Sequence, residues 1–353
     1  MRGSFVCPLR AALCLFLLYG GAILSAQEEP LQASRNGEVV ALVPAGSSAR
    51  LELPGGRSLR LTLPDRAVLS SLAVLDGGWA AAGSFPDAQG GRRLFLLRGD
   101  DKASAPLAEP AGQVGAMRSG PVLLVDGGRL AGLAWLEGDG PRSFSVRAAA
   151  WTGSRWQAPQ RVSHPGPGSQ LALAGAVLAD GSWLLAWSAF DGTADEIVWS
   201  RRVGGSWLPV SRLSSRNSVP DITPALAATP GGGALIAWSR YDGNGYQLRT
   251  ARFAAGEWRG ERAAAPSGSL FPAFVDGGDR VSVRLLYMNA VPRAWSVLDL
   301  DGEGRILAKA TVPSALDRPV VSFDGSGAVK MRWPAQKRQA DAHMDAVHKD
   351  KQP

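Results

Sequence analysis

The stretch DGSWLLAWSAFDG, residues 180–192, returns about fifty residues later as GGGALIAWSRYDG, residues 231–243. Both copies place a Gly-rich turn before an apolar run with a tryptophan, and both end on an Asp-Gly pair. An apolar run between two such turns is typical of a strand within a hairpin. A period of this length predicts a repeat architecture, in which one supersecondary unit is stacked many times.

The same unit can be followed through most of the chain. Its apolar run is closed by an aromatic residue, and successive copies lie 46 to 52 residues apart: Phe85, Trp135, Trp187, Trp238, Tyr287 and Trp333. Two further strands follow in each complete unit, and the fourth begins at a tryptophan, as at Trp156, Trp207 and Trp258. Four antiparallel strands per unit, repeated radially, predict the blades of a β-propeller.

Two other repeat or strand-rich architectures fit the sequence less well than the propeller. No stretch of the repeats carries a sustained helical period, which excludes a helical solenoid. A β-sandwich has a similar density of strands, but it has no reason to repeat its aromatic residues at this interval, so it is the weaker alternative. We therefore predict an all-β fold, a six-bladed β-propeller of four-stranded antiparallel blades that spans residues 37–333.

Closure of the ring is expected to involve both ends of the repeat region, because an open ring leaves an unpaired edge. The last unit ends after its second strand, whereas residues 38–63 contain three spare strands, EVVALV, ARLELP and SLRLTL. We expect these N-terminal strands to complete the last blade. Residues 27–36 are predicted to be a short linker, and residues 334–353 a polar, disordered tail.

The N-terminus is typical of a secretory signal peptide. Arg2 and Arg10 lie ahead of an apolar run over residues 11–26, and a polar, acidic stretch follows. This run is short for a membrane span, and an uncleaved anchor is the alternative. We expect residues 1–26 to be removed and the mature protein to lie outside the cytoplasm, either periplasmic or secreted, with no membrane span.

Composition restricts the partners of the mature chain. Both cysteines, Cys7 and Cys14, lie in the predicted signal, so no disulfide and no thiol nucleophile would remain. Removal of its two arginines lowers the formal net charge from +7 to +5. The remaining basic residues are scattered among acidic ones, unlike a nucleic-acid footprint. We expect a monomer that does not bind nucleic acid.

One turn between outer strands carries a family resemblance. The residues SRRVGGSW, ending at Trp207, resemble the Asp-box (BNR-type repeat) of sialidase-like propellers, whose pattern is Ser-x-Asp-x-Gly-x-Thr-Trp. Ser200, Gly204 and Trp207 match, Ser206 replaces the threonine, and Arg202 stands at the aspartate position. The resemblance implies a propeller fold and a structural role for the box. Kelch repeats have a similar length, but they place paired glycines after the second strand, whereas here the pairs precede it.

The sequence leaves two functions open, catalysis and the binding of a ligand without catalysis. The sialidase resemblance would imply an arginine triad, a tyrosine nucleophile with a glutamate partner, and an aspartic acid as proton donor. Only Tyr241, Tyr246 and Tyr287 follow the signal, Tyr287 falls on the repeating aromatic position, and no catalytic residue can be transferred by motif. We predict non-catalytic binding of a protein or glycan. The alternative is a sialidase-like glycoside hydrolase at the channel mouth, which would need two carboxylates about 5–10 Å apart.

Metal and cofactor sites are not indicated. His164 lies in a loop, and His343 and His348 lie five residues apart in the tail, which is not the spacing of a helical ligand pair. The Asp-Gly turns lack the alternating oxygen ligands of a calcium loop. A Ser-His-Asp triad would need His164, and no nucleophile-elbow sequence accompanies it. We expect neither a metal nor a cofactor.

The best candidate for ligand binding is the fourth unit. The crossover into a blade and the loop between its second and third strands share one face of a propeller, where binding sites gather. In this unit both segments, SSRNSVPD and SRYDGNGY, combine aromatic and charged residues, which favour recognition. An ordinary solvated loop is the alternative. The predicted ligand-binding residues are Arg216, Asn217, Asp221, Arg240, Tyr241, Asp242 and Tyr246.

Overall fold

The structure is a computed structural model that describes residues 29–332 apart from nine short gaps. The gaps are residues 36, 113–114, 141–142, 164–169, 191, 214–216, 277–281, 314–317 and 324–328. The predicted signal peptide, residues 1–26, and the predicted tail, residues 334–353, therefore lie outside the described residues. No helix in the described part of the chain is long and apolar enough to cross a membrane.

The first half of the chain forms three four-stranded antiparallel sheets. Blade 1 is β1 (Leu31–Arg35), β2 (Glu38–Ala45), β3 (Ser48–Glu52) and β4 (Ser58–Thr62), with a short 3-10 turn at Pro54–Gly56. Blade 2 is β5 (Val68–Leu75), β6 (Gly78–Pro86), β7 (Arg92–Gly99) and β8 (Ser104–Leu107). Blade 3 is β9 (Arg118–Asp126), β10 (Arg129–Gly140), β11 (Ser143–Ala150) and β12 (Gln160–Arg161).

The second half forms three more blades and a separate hairpin. Blade 4 is β13 (Gln170–Val177), β14 (Trp183–Phe190), β15 (Asp195–Val203), and the short β16 (Ser206–Trp207) and β17 (Ser211–Arg212), which both pair with β15. Blade 5 is β18 (Asp221–Ala228), β19 (Ala234–Tyr241), β20 (Tyr246–Ala254) and β21 (Glu257–Ser267). Blade 6 is β22 (Ser269–Asp276), β23 (Ser282–Ala290), β24 (Arg293–Asp301) and β25 (Ile306–Pro313). The hairpin is β26 (Val320–Phe323) and β27 (Val329–Arg332).

The first strands of the six blades form a closed ring. Each of β1, β5, β9, β13, β18 and β22 lies beside the first strand of the next blade, and β22 lies beside β1. The predicted six-bladed propeller of four-stranded antiparallel blades is thus confirmed. We call the face with the crossovers and the loops between second and third strands the loop face. The opposite face, which carries the other two turns of each blade, is the turn face.

The repeating aromatic residues occupy the core of the blades. Trp135, Trp187, Trp238 and Tyr287 lie on the second strands and are completely buried. In blade 2 the predicted position is wrong, because Phe85 is only partly buried. The matching buried position in blade 2 is Gly83, where a Cβ atom would lie only 2.5 Å from the ring of Phe95. Phe95, from the third strand, therefore fills the space that the aromatic residue of the second strand fills in blades 3 to 6.

Ring closure by N-terminal strands is confirmed, but the composition of the closing blade differs from the prediction. The N-terminal strands do not complete the last unit, because they pair with β1 and form a whole blade by themselves. β1 has the sequence LQASR, which shows no clear alternation, and it places the start of the propeller at Leu31 rather than at residue 37. The linker predicted for residues 27–36 therefore contains a strand. The five units before the last one are blades 2 to 6.

The C-terminal hairpin fills the seam between blade 6 and blade 1. Val321 and Met331 pack into the apolar cluster of blade 6 around Trp295. On the other side, the amide of Gln32 in β1 donates to the Val321 carbonyl and accepts from its N–H, both at 2.7 Å. A side-chain amide thereby replaces a ladder of main-chain hydrogen bonds across this seam.

Candidate functional site

Asp221 is the centre of a buried polar network at the loop face of blade 5. Its side chain is fully buried at the start of β18, directly opposite Arg240 at the end of β19. One carboxylate oxygen accepts from Trp238 Nε1 at 2.8 Å and from Arg240 Nε at 2.7 Å. The other accepts from Arg240 Nη2 and from Asn217 Nδ2, each at 3.0 Å. Asp221 therefore positions its neighbours, and its oxygens are not available to a ligand.

The network continues from Arg240 to the outer strands. Arg240 Nη1 donates to Glu261 at 2.6 Å, and Arg249 forms a second ion pair with the same oxygen at 2.9 Å. Burial by itself would lower the pKa of Arg240, but hydrogen bonds and charge from Asp221 and Glu261 outweigh it and raise this pKa. The guanidinium is thus a fixed, permanently charged group at the rim of the blade.

Asn217 joins the crossover to the two blades that it connects. Its backbone N–H donates to Glu196 of blade 4 at 3.3 Å, while its side chain binds Asp221 of blade 5. Its amide oxygen accepts from Val219 N at 2.8 Å, which closes a turn. These contacts explain Asn217 as an inter-blade link. The neighbouring Arg216, also predicted to bind a ligand, lies outside the described residues.

The loop between β19 and β20 holds the other predicted residues. The rings of Tyr241 and Tyr246 meet edge to face with centroids 5.6 Å apart. The Tyr241 hydroxyl donates to the Gly243 carbonyl at 3.0 Å, and Asp242 Oδ1 accepts from Asn244 N at 2.9 Å. Tyr246 is buried, and burial, followed by the charge of the nearby Asp195, raises the pKa of its hydroxyl. The fold brings the six described residues together, and most of their polar groups hold this loop in shape.

A recurring backbone feature was missed by the sequence reasoning. In blades 3 to 6, the first strand bulges opposite the buried aromatic residue of the second strand. At this bulge the backbone adopts a positive φ of 49° to 56° at one residue of each blade: Gly120, Ala172, Thr223 and Phe271. Such angles are strained for any residue with a side chain, and strain of this kind gathers at functional sites.

The strained bulges lie beside exposed apolar side chains. Phe271 and Leu171 are on the innermost strands of blades 6 and 4, and 52% and 45% of their surfaces are exposed. Met117, just before the innermost strand of blade 3, is 39% exposed. We call this set of three side chains the apolar mouth. Sequence reasoning missed it because an apolar residue in a strand normally indicates core. A signal for the bulges of blades 3, 5 and 6 was the recurrence of RSGP, DITP and SLFP, each of which has a residue that is buried in the structure three positions before its proline.

The turn over residues 200–207 links the two outer strands of blade 4. The Ser200 hydroxyl donates to the Leu208 carbonyl at 2.7 Å and so joins the two outer strands of blade 4. Gly204 provides the positive φ of 58° that the turn requires. Arg202, at the position of the aspartate, stacks over the ring of Trp183 at 4.5 Å instead of binding the turn. The hairpin is thus held without the residue that gives the box its name.

The acidic side chains of the networks in blades 3 and 5 lie in ion pairs with arginines. Within the described ranges, no group of three His, Cys, Asp or Glu side chains is placed to hold a metal ion. In blade 3, Glu109 and Glu137 both bind the same arginine, Arg118, at 3.3 and 3.1 Å. In blade 5, Asp221 and Glu261 likewise share one arginine. These four carboxylates are therefore ion-paired rather than open to a substrate.

Comparison with known proteins identifies the fold and not a family. No family matches the sequence, and no curated protein is recognisably similar to it. A lectin from Burkholderia pseudomallei superposes with a TM-score of 0.56 and 15% identity, over 78% of this chain and 80% of the lectin. An ulvan lyase, a polysaccharide lyase, gives 0.56 and 12%, over 84% and 85%. A protein of unknown function from Dyadobacter fermentans gives 0.52 and 13%, over 80% and 93%.

Proposed function

We propose that this protein is an exported, non-catalytic binding propeller that holds a carbohydrate at the apolar mouth of its loop face. The observation that carries the proposal is the half-exposed ring of Phe271, held on a strained bulge of an innermost strand. A strained backbone persists only where the surrounding structure enforces it. A large aromatic residue exposed at such a point favours a role in recognition over a role in packing.

The chemistry of the mouth suits a sugar ring. One face of a pyranose presents C–H groups, which pack against an aromatic ring, while its edge presents hydroxyl groups. Binding sites commonly combine an apolar surface with a few fixed polar groups. Phe271 and Leu171 supply the apolar surface, and the charged Arg240, held by Asp221 and Glu261, lies on the same face in the blade between them.

The absence of catalysis is proposed from the state of the carboxylates. Glycoside cleavage requires one carboxylic acid and one carboxylate that both reach the scissile bond. In the network of blade 5, the oxygens of Asp221 are occupied by Trp238, Arg240 and Asn217, and Glu261 binds two arginines. These contacts favour positioning of side chains over reaction with a substrate.

The structural neighbours make carbohydrate the first class of ligand to test. The lectin and the ulvan lyase share this fold, so the propeller supports both the binding and the cleavage of polysaccharides in other proteins. Sequence identities of 12% and 15% transfer neither activity to this chain. The proposal therefore stands on the residues of the mouth.

The test is binding of the purified mature protein to a panel of soluble polysaccharides, measured by affinity electrophoresis and calorimetry. We expect Phe271→Ala to weaken binding about fivefold or more, as truncation of a central aromatic does. Leu307→Ala is the matched control, because Leu307 is 59% exposed on the outer strand β25 of the same blade. Equal affinity of both variants, or release of reducing ends from a bound polysaccharide, would contradict the proposal.

Export is tested separately. N-terminal sequencing of the protein recovered outside the cytoplasm is expected to begin near Gln27. Recovery of the chain in the membrane fraction with Met1 retained would show an anchor instead.

A further inference from the structure

A second concave site lies on the turn face, away from the apolar mouth. It is a pocket of about 650 Å³ where the turns of blades 4, 5 and 6 meet. Asp180 and Arg201 line it from blade 4, the glycine-rich turn 231–233 and Arg252 from blade 5, and Glu303 from blade 6. Its volume lies within the range of pockets that bind small molecules.

The charged groups of the pocket are arranged as two ion pairs. Asp180 pairs with Arg201, which also donates from Nε to the Ser182 hydroxyl at 2.9 Å. Arg252 of blade 5 pairs with Glu303 of blade 6 and so links two blades. Hydrogen bonds from the Ser182 hydroxyl and backbone, and then the Arg201 charge, hold the pKa of Asp180 below its usual range. Each pair presents a hydrogen-bond donor beside an acceptor.

We propose that this pocket binds an uncharged, polyhydroxylated ligand, a neutral saccharide unit. A hydroxyl group both donates and accepts, whereas guanidinium only donates and carboxylate only accepts. Adjacent hydroxyls of a sugar match an Arg–Asp or Arg–Glu pair without disturbing its charge balance. An anionic ligand would lie against Asp180 and Glu303, and a cationic ligand against Arg201 and Arg252, so both are disfavoured.

Two glycines in the lining of the pocket leave open space beside them. Gly231 and Gly302 have no atoms within 4 Å of the place where a Cβ would stand, and neither has a positive φ. These glycines are thus not required by the backbone conformation, and their effect is to keep the space open. The same property makes them suitable positions for an obstructing side chain, since substitution there introduces no backbone strain.

The experiment uses the mature protein and three probes: cellobiose, glucuronate, and glucosamine at a mildly acidic pH at which its amine is protonated. Saturation-transfer NMR reports binding, and titration gives the affinity. We expect cellobiose to bind more tightly than either charged probe. Gly231→Trp should weaken cellobiose binding about tenfold or more, which corresponds to the loss of at least about 1.4 kcal/mol of binding free energy. Ser154→Trp is the control, because Ser154 is an exposed residue in the β11–β12 turn of the same face.

Several results separate this site from the proposed loop-face function. Phe271→Ala should leave cellobiose binding at the pocket unchanged, so loss of polysaccharide binding in that variant and loss of cellobiose binding in Gly231→Trp are independent outcomes. If Gly231→Trp fails to fold, Gly302→Trp obstructs the pocket from blade 6. Unchanged cellobiose affinity in a folded obstructed variant, tighter binding of a charged probe, or no saturation transfer from the protein to cellobiose would each overturn the proposal.

Discussion

Blades 3 and 5 contain the same buried network with its first two charges exchanged. In blade 5 the first strand contributes the carboxylate of Asp221 and the second strand the guanidinium of Arg240. In blade 3 the first strand contributes the guanidinium of Arg118 and the second strand the carboxylate of Glu137. Both networks lie beside the buried tryptophan of the second strand, whose indole N–H donates to the carboxylate in each case, at 2.8 Å in blade 5 and 3.2 Å in blade 3.

The exchange of charges does not reach the third strand, where each of the two blades has an arginine at the same position. Arg147 in blade 3 and Arg249 in blade 5 occupy the same place on the third strand, directly opposite the buried tryptophan. Arg147 binds Glu137, and Arg249 binds Glu261. The repeat therefore preserves a chain of alternating positive and negative side chains and not the identity of each residue. This explains why the sequence of the units diverges at positions where the geometry does not.

The largest effect is expected from removing one partner of the central pair. Asp221→Ala leaves the indole N–H of Trp238 and part of the Arg240 guanidinium without acceptors inside the protein. Breaking a buried ion pair from one side destabilises a protein by about 3–5 kcal/mol. Urea unfolding should show this loss, and Arg240→Ala should lose a similar amount because it leaves the carboxylate unpaired. A loss below about 1 kcal/mol would mean that the network contributes little to the stability of blade 5.

Exchanging the charges within blade 5 tests the comparison directly. The double variant Asp221→Arg with Arg240→Glu reproduces the arrangement of blade 3, and we expect it to recover part of the stability that either single variant loses. A coupling energy of about 0.5–3 kcal/mol between the two sites is the expected signature of contacting residues. Additive losses would show that the surrounding residues, such as Asn217, specify the sign of each charge.

Blade 4 provides a neutral version of the same contact. Gln170 takes the place of Asp221, its side-chain oxygen accepts from the indole N–H of Trp187, and it faces Ala189 instead of an arginine. Gln170→Ala should cost about 1–3 kcal/mol, because it leaves a buried donor unsatisfied but strands no charge. Urea unfolding of Gln170→Ala and Asp221→Ala under the same conditions shows which variant loses more stability. A larger loss in blade 4 than in blade 5 would contradict the interpretation.

A smaller, pH-dependent difference is expected from Tyr246, which belongs to blade 5. Burial raises the pKa of its hydroxyl, so the folded state holds this proton more tightly than the unfolded state does. Its contribution to stability is complete below the unfolded value of about 10 and is lost as the pH rises through the folded value. The free energy of unfolding of the wild type should fall more steeply over this pH range than that of Tyr246→Phe. Identical slopes would show that the hydroxyl is solvated.

The smallest effect concerns the strained bulges. Ala172 holds a φ of +49° in the first strand of blade 4, where blade 3 has Gly120 at +56°. Ala172→Gly relieves steric strain of about 1–2 kcal/mol, offset by about 0.4–1 kcal/mol from the greater freedom of glycine in the unfolded chain. We expect a net stabilisation between about 0 and 1.6 kcal/mol, measured by thermal unfolding. Destabilisation would indicate that the alanine methyl group packs against a neighbour.

Much of the fold could be predicted from the sequence, because each blade is built from consecutive strands around one buried aromatic residue. Periodic tryptophans and Asp-Gly turns report that local pattern. β1 was missed because its five residues are all only partly buried and therefore do not alternate. Phe85 was misplaced because blade 2 takes its aromatic from another strand, which no single-strand pattern shows.

The candidate site was predictable only in part. The crossover and the loop of the fourth unit were placed on one face by topology, and the structure brings Asp221, Arg240 and Tyr241 together there. Their hydrogen-bond pairing depends on a bulge between Ile222 and Ala225, which shifts the register of β18. A two-residue repeat read from the sequence carries no signal for such a shift, so Asp221 was interpreted as a ligand-binding residue and not as a buried support.

The seam at the hairpin has a consequence for the order of folding. Contacts inside each blade join residues close in sequence, whereas the Gln32 and Val321 contact spans 289 residues. Local contacts form early because little chain entropy is lost in closing short loops, and distant contacts form late. We expect blade 1 to acquire its strands early, while its outward edge waits until the rest of the ring has been made. The seam between blades 6 and 1 is therefore the part of the ring that we expect to close last.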